Sequence, residues 1–183
     1  PSCPATTLAE VDGMMTPPPR YPTCQCWTDG SVQDILCRAA FVQRTISQDG
    51  WETTLFRLPD GLTIDTCEAV ALWQAVISVP DQQTAAVIFC DSSATLDGLL
   101  KYSRSPHAYR FKHQYQIFAA ILQRLQQGVT HYYFVKVKAH EHQAARGGNI
   151  PINEGNRVVD AAAKEAALSE VAPLTLPGHE EPE

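Results

Sequence analysis

The spacing of apolar positions changes several times along this chain, and each change marks an element. Residues 24–30 (CQCWTDG) read as a first strand ending in a polar turn at Thr28-Asp29-Gly30-Ser31. Residues 36–46 and 52–58 are rich in strand formers and separated by Gln48-Asp49-Gly50, which predicts a hairpin. From 66 to 79 the apolar positions Val70, Trp73, Val76 and Ile77 recur at a helical period. Residues 84–90 (TAAVIFC) form a continuous apolar run, the pattern of a central strand covered on both faces. A short helix is expected at about 94–102. A longer one is expected at about 109–127, with Phe111, Tyr115, Phe118, Leu122 and Leu125 on one stripe and Gly128 as its stop. Residues 131–138 alternate as a strand, 147–155 form a Gly/Asn/Pro loop, and a last helix spans about 155–169. The order βββ-α-β-αα-β-α predicts an α/β domain with a mixed sheet.

Proline sets the expected limits of that domain. Six of the 13 prolines fall in residues 1–22, including Pro17-Pro18-Pro19, so this segment is expected to be an extended linker or leader. Residues 171–183 combine Pro173, Pro177 and Pro182 with Glu180, Glu181 and Glu183 and read as a flexible acidic tail. The folded unit is then 23–170, long enough for one sizeable core. The chain starts without an initiator Met or a signal-peptide pattern and reads as an excised fragment. With no run of 18 apolar residues, no membrane partner is expected. The six cysteines include no CxxC, and Cys24 and Cys26 lie in a strand whose side chains alternate between faces, so neither chelate nor bridge is expected from them. Reduced, buried thiols inside a cell are the expectation.

Four acids stand out by placement. Asp29 ends the first strand, Asp91 ends the buried one, Glu68 opens the first long helix, and Asp160 lies one turn into the last. Each has an ordinary explanation. Asp29 suits a turn before Gly30; Asp65 and Glu68 fit a capping box; Asp91 would cap the helix near 94; Asp160 would pair with Lys164 at i,i+4. Their joint placement is harder to explain separately. Acids at neighbouring strand ends, joined by others from helices, form a cluster of like charge that divalent metal would stabilise, and hard oxygen donors suit Mg²⁺ or Mn²⁺.

These pieces together resemble a type 1 ribonuclease H domain, particularly those of retroelement and retroviral reverse transcriptases. The matching residues are Thr-Asp-Gly-Ser at 28–31, Glu68 after the hairpin, the apolar strand leading to Asp91-Ser92, Val-Lys-Ala-His at 137–140, and Asn156 four residues before Asp160. They cover nearly all of 23–170, in the family's order. The resemblance implies a ribonuclease H-like fold, a mixed five-stranded sheet flanked by helices. It implies a metal-dependent endoribonuclease that hydrolyses the RNA strand of RNA–DNA hybrids by a two-metal-ion mechanism. Asp29, Glu68, Asp91 and Asp160 would bind two Mg²⁺ ions, with Mn²⁺ able to substitute. His140 would be the catalytic-loop histidine. Gly30, Ser31 and Asn156 would lie at the nucleic acid, Gly30 letting backbone approach a sugar. A covalently linked reverse transcriptase region is implied as partner, in the cytoplasm, the nucleus or a virus-like particle.

Two features depart from the family pattern. Residues 147–152 look inserted between His140 and Asp160, which makes His142 a rival for the loop histidine. Asp65 stands where many relatives carry an amide facing the minor groove. A non-catalytic module that binds duplex, or a superfamily nuclease acting on DNA, are the competing classes.

Charge distribution bears on the substrate. The net charge is −6, which in bulk disfavours a polyanion. Residues 101–146, however, hold eight bases and one acid, with Tyr102, Tyr109, Phe111 and Tyr115 interleaved. That is the composition of a backbone-tracking surface, or else of a solvated helix face over core aromatics. Lys101, Arg104, Arg110 and Lys112 are the expected basic contacts, where some relatives carry a handle for the hybrid.

Overall fold

The structure, a computed structural model, describes residues 6–10, 24–44, 51–109, 114–137, 150–165 and 172–178. Its elements in chain order are β1 (Thr6–Glu10), β2 (Cys24–Gln33), β3 (Leu36–Arg44), β4 (Glu52–Arg57), α1 (Ile64–Ser78), β5 (Ala85–Cys90), α2 (Ser93–Arg104), α3 (Pro106–Tyr109), α4 (Tyr115–Gln127), β6 (His131–Lys136) and α5 (Ile150–Glu165). The sheet order is β1-β6-β5-β2-β3-β4. β2, β3 and β4 run antiparallel in a meander, while β5 and β6 continue the sheet parallel to β2. Strands β2–β6 are the expected mixed five-stranded sheet, and the architecture is that of the ribonuclease H-like fold.

A sixth strand comes from the segment expected to be linker. β1 pairs in parallel with β6, Thr6 opposite Tyr132 through Glu10 opposite Lys136. The physical reason is local: Thr-Thr-Leu-Ala-Glu is free of proline, so every N–H is available to an otherwise open sheet edge. The tail differs from expectation too. The Leu174 N–H donates to the Arg57 carbonyl at 2.8 Å, and Leu176 is buried in the core.

Two packed layers cover the sheet. On one face Cys24, Cys26, Phe41, Ile88, Tyr132 and Phe134 meet the apolar residues of α1, α2 and α4. On the other, Trp27, Val42, Phe89 and Val135 meet Val159 and Ala163 of α5. α1 lies between the sheet and α4, and buries ten of its residues, from Thr66 to Val76. A helix enclosed on nearly every side needs no single apolar stripe; Ile77, expected on the stripe, is in fact exposed. Cys24 and Cys26, expected on opposite faces, share one: residues two apart in a strand point the same way, and their thiols hydrogen-bond each other. Cys24, Cys26, Cys37, Cys67 and Cys90 are all free and buried.

Helix boundaries moved where capping chemistry outweighed periodicity. Thr63 caps α1, its hydroxyl accepting the Thr66 N–H at 3.2 Å. Ser92 caps α2, accepting the Thr95 N–H at 3.2 Å. The helix expected to run unbroken from 109 is represented by α3 and α4, with 110–113 outside the described residues. α5 starts at Ile150, inside the expected loop. Pro151 explains this, because proline is preorganised for a helix's first turn, where its missing N–H costs nothing.

Candidate active site

The capping assignments release two of the four acids from their ordinary explanations. With Thr63 as the cap of α1, Asp65 and Glu68 do not form the capping box. With Ser92 as the cap of α2, Asp91 does not serve there either. Asp29 is not a turn residue: β2 runs through it to Gln33, and it pairs with Ala40. Asp160 does make its expected ion pair, accepting from the Lys164 ammonium at 3.0 Å.

Sheet register brings the first two acids together. Thr28 lies opposite Cys90 in the parallel β2–β5 pair, so Asp29 and Asp91 follow on adjoining strands. Glu68 is delivered by the close approach of α1 to β2. A Cβ at Gly30 would lie 2.6 Å from both the Cys67 carbonyl carbon and the Glu68 nitrogen. Only glycine permits that contact, and the Gly30 backbone in turn favours the ionised Glu68 carboxylate. Gly30 is thus buried beneath α1, which gives its missing side chain a role inside the fold. α5 reaches β2 from the opposite face in the same manner. A Cβ at Gly155 would fall 2.2 Å from the Trp27 ring, while Trp27 stacks on Phe89 with centroids 4.7 Å apart. Val159 is buried there, and Asp160, the next residue, is near enough to act on the Asp29 carboxyl.

The outcome is a carboxylate group with little water. Asp29 is 5% exposed and Glu68 6%. Burial, then the charge and hydrogen bond of Glu68, then Asp91 and Asp160, push the Asp29 carboxyl up to about 10. Burial first, and Asp91 next, push Glu68 up to about 7, against the lowering effect of its bonds from Asp29 and Gly30. Without a cation, then, Asp29 keeps its proton at neutral pH while Glu68 titrates there, because two adjacent buried carboxylates cannot both ionise. Glu68 Oε2 is buried with no hydrogen-bond partner. An orphaned carboxylate oxygen within a group of hard donors fits Mg²⁺ or Mn²⁺, which bind carboxylates in this way. The Cys90 thiol, which the sequence reading did not include, also joins the group: ligand atoms of Glu68, Cys90 and Asp91 lie within 4.8 Å of one another. Cys90 stands directly before Asp91 at the end of the buried strand.

Other expected site residues lie along β2, α2 and α5 or outside the described residues. Ser31 continues β2 beyond Gly30, and Asn156 lies one helical turn before Asp160; both are half-buried. Lys101 and Arg104 are exposed in the last turn of α2. Arg110, Lys112, His140 and His142 lie outside the described residues. Arg124, one of the eight bases counted above, is occupied elsewhere: it donates to Asp81 at 2.5 Å and to the Val79 carbonyl at 3.2 Å.

Comparison with known proteins agrees on the fold. No family model and no curated protein sequence matches the chain. Among solved structures, ribonuclease H1 from the halophilic archaeon Halobacterium salinarum NRC-1 is similar, with a TM-score of 0.52 at 13% identity. The match covers 78% of this chain and 98% of that one.

Proposed function

We propose that this chain is a metal-dependent endoribonuclease that cleaves the RNA strand of RNA–DNA hybrids. What carries the reading is the buried Asp29 carboxyl, held against Glu68 and in reach of Asp91 and Asp160. No turn, cap or core packing calls for that arrangement, and it is unfavourable for the fold alone. The similarity to ribonuclease H1 and the order of motifs along the chain add support.

In this reading Asp29, Glu68, Asp91 and Asp160 hold two Mg²⁺ ions, and Mn²⁺ can substitute. Bound there, the ions supply Lewis acidity for an attacking water and for the leaving 3′-oxygen. The residues themselves do the rest. Asp29, on the interior strand β2, would offer its carboxylate to the ions. Glu68, Asp91 and Asp160 would complete the set that holds the ions, Asp160 giving up its bond from the Lys164 ammonium. That loss is small, because an exposed i,i+4 pair contributes only about 0.3–0.5 kcal/mol. His140, or His142 in its place, would carry a proton to or from the product, since an imidazole titrates in the working range. Ser31 and Asn156 flank the carboxylates and would meet the hybrid's backbone, Gly30 contributing through its backbone alone. Lys101, Arg104, Arg110 and Lys112 would neutralise phosphates further along.

The finer assignment, a domain of a retroelement reverse transcriptase polyprotein found in the cytoplasm, the nucleus or a virus-like particle, rests on the motif resemblance. Among the described residues no helix is long and apolar enough to cross a membrane. Matched hybrid, DNA duplex and RNA duplex, offered side by side with Mg²⁺, test the substrate class. Cleavage confined to the RNA of the hybrid supports the proposal, and cleavage of the DNA duplex would move the chain to a DNA-directed nuclease.

A further inference from the structure

We propose that Glu68, Cys90 and Asp91 form a site for a thiophilic divalent cation, Zn²⁺ or Cd²⁺, that competes with Mg²⁺ at the carboxylates. The inference builds on the reading of Glu68 and Asp91 as cation ligands and adds a sulfur donor to them.

The ligand atoms of these three side chains already lie within 4.8 Å of one another. Tetrahedral zinc with sulfur at about 2.3 Å and oxygen at about 2.1 Å needs neighbouring ligands about 3.5 Å apart. A second observation points to a ligand independently of the thiol. Glu68 is only 6% exposed, and its Oε2 is buried with no hydrogen-bond partner, so this side chain keeps an oxygen free to take a cation. The sulfur's direction is also set by its neighbours. The Ser92 N–H donates to Cys90 Sγ at 3.4 Å, while the thiol donates to the Ser92 carbonyl at 3.9 Å. On metal binding the thiol proton leaves to solvent, the metal–sulfur bond forms, and the Ser92 N–H remains to support the thiolate and fix its direction. A site of one thiolate and two carboxylates favours Zn²⁺ over Mg²⁺, which takes hard oxygen donors. Half-buried Asp91 is the side from which an ion would enter, since Cys90 is fully enclosed. The other described thiols are not among the groups of three or more such donors found among the described residues, and Cys37 Sγ donates to the Ile35 and Leu62 carbonyls at 3.5 Å.

Titration of the whole chain with Cd²⁺, followed by the ultraviolet sulfur-to-cadmium charge-transfer band, tests the site without reference to catalysis. The band is expected in the native protein and in Cys26→Ala, and lost in both Cys90→Ser and Cys90→Ala. Two replacements guard against one of them failing to fold, and circular dichroism identifies which did. In parallel, the Zn²⁺ concentration that halves Mg²⁺-supported hybrid cleavage is expected to rise on the order of 10–100-fold in the Cys90 variants. A band that persists without Cys90, or no band in the native protein, overturns the proposal, as does equal Zn²⁺ sensitivity. A native protein that shows the band but never cleaves hybrid would leave the site standing and remove the ribonuclease reading instead.

Discussion

Asp29 spends its folded life in an environment that opposes its charge, and this has a measurable thermodynamic signature. Its carboxyl is pushed up to about 10 and that of Glu68 to about 7, whereas in the unfolded chain both titrate near 4. As pH rises above about 4, the unfolded chain releases protons that the folded state keeps. Metal-free stability therefore falls with rising pH, first through the Glu68 range and then towards that of Asp29. Denaturation in chelator between pH 5 and 9 should show this decline, and Mg²⁺ should reverse it by taking the place of the protons. Asp29→Asn should flatten the profile and raise metal-free stability by about 1–2 kcal/mol, as expected when a strained functional group is removed. A profile that rises with pH in chelator would contradict the buried carboxylate pair. Lys164 offers a contrast. Its ion pair with Asp160 is partly exposed, so Lys164→Ala should change stability by no more than about 0.5 kcal/mol in urea denaturation.

At the scale of elements, two glycines decide where the helices can carry their acids. Gly30 admits the start of α1 against β2, and Gly155 admits α5 against the Trp27 ring. Gly30→Ala should cost about 1–3 kcal/mol by overpacking. It should also reduce hybrid cleavage more than its stability loss explains, because the displaced backbone carries Glu68. Urea denaturation and cleavage assays on the same preparation check both parts. Most of the elements were legible in the sequence because period and turn chemistry agreed: the hairpin of β3 and β4, the buried run of β5, the alternation of β6. The misses have local causes. Capping by Thr63 and Ser92, each just ahead of the expected helix, took precedence over the acids, and Pro151 started α5 early instead of delaying it. β1 has an unremarkable sequence and exists through its partner β6, so no local pattern could announce it. The carboxylates themselves were legible as a set, whereas the thiol of Cys90 was not, because a cysteine ending an apolar strand looks like any core residue.

For the whole molecule, the balance of −6 conceals a division into about +7 over residues 101–146 and −13 elsewhere. Part of the negative share is the carboxylate cluster, which divalent cations would neutralise. Part of the positive share is already spent, as Arg124 shows by its pairing with Asp81. Lys101 and Arg104, exposed at the end of α2, remain candidates for phosphate contact. Hybrid binding by a catalytically silenced chain should therefore weaken steeply with salt. Charge reversal at Lys101 and Arg104 together should lower affinity and make the salt dependence shallower by about one to two phosphates' worth of slope. Fluorescence anisotropy over a salt series reads both; an unchanged slope would remove α2 from the interface. The central claim is nevertheless about Asp29, and hybrid cleavage by Asp29→Asn tests it most directly. With Mg²⁺ present, the native chain should cut the RNA strand, and the folded Asp29→Asn variant should lose activity by at least about a hundredfold. Undiminished cleavage by that variant would contradict the account of the carboxylates as the catalytic centre.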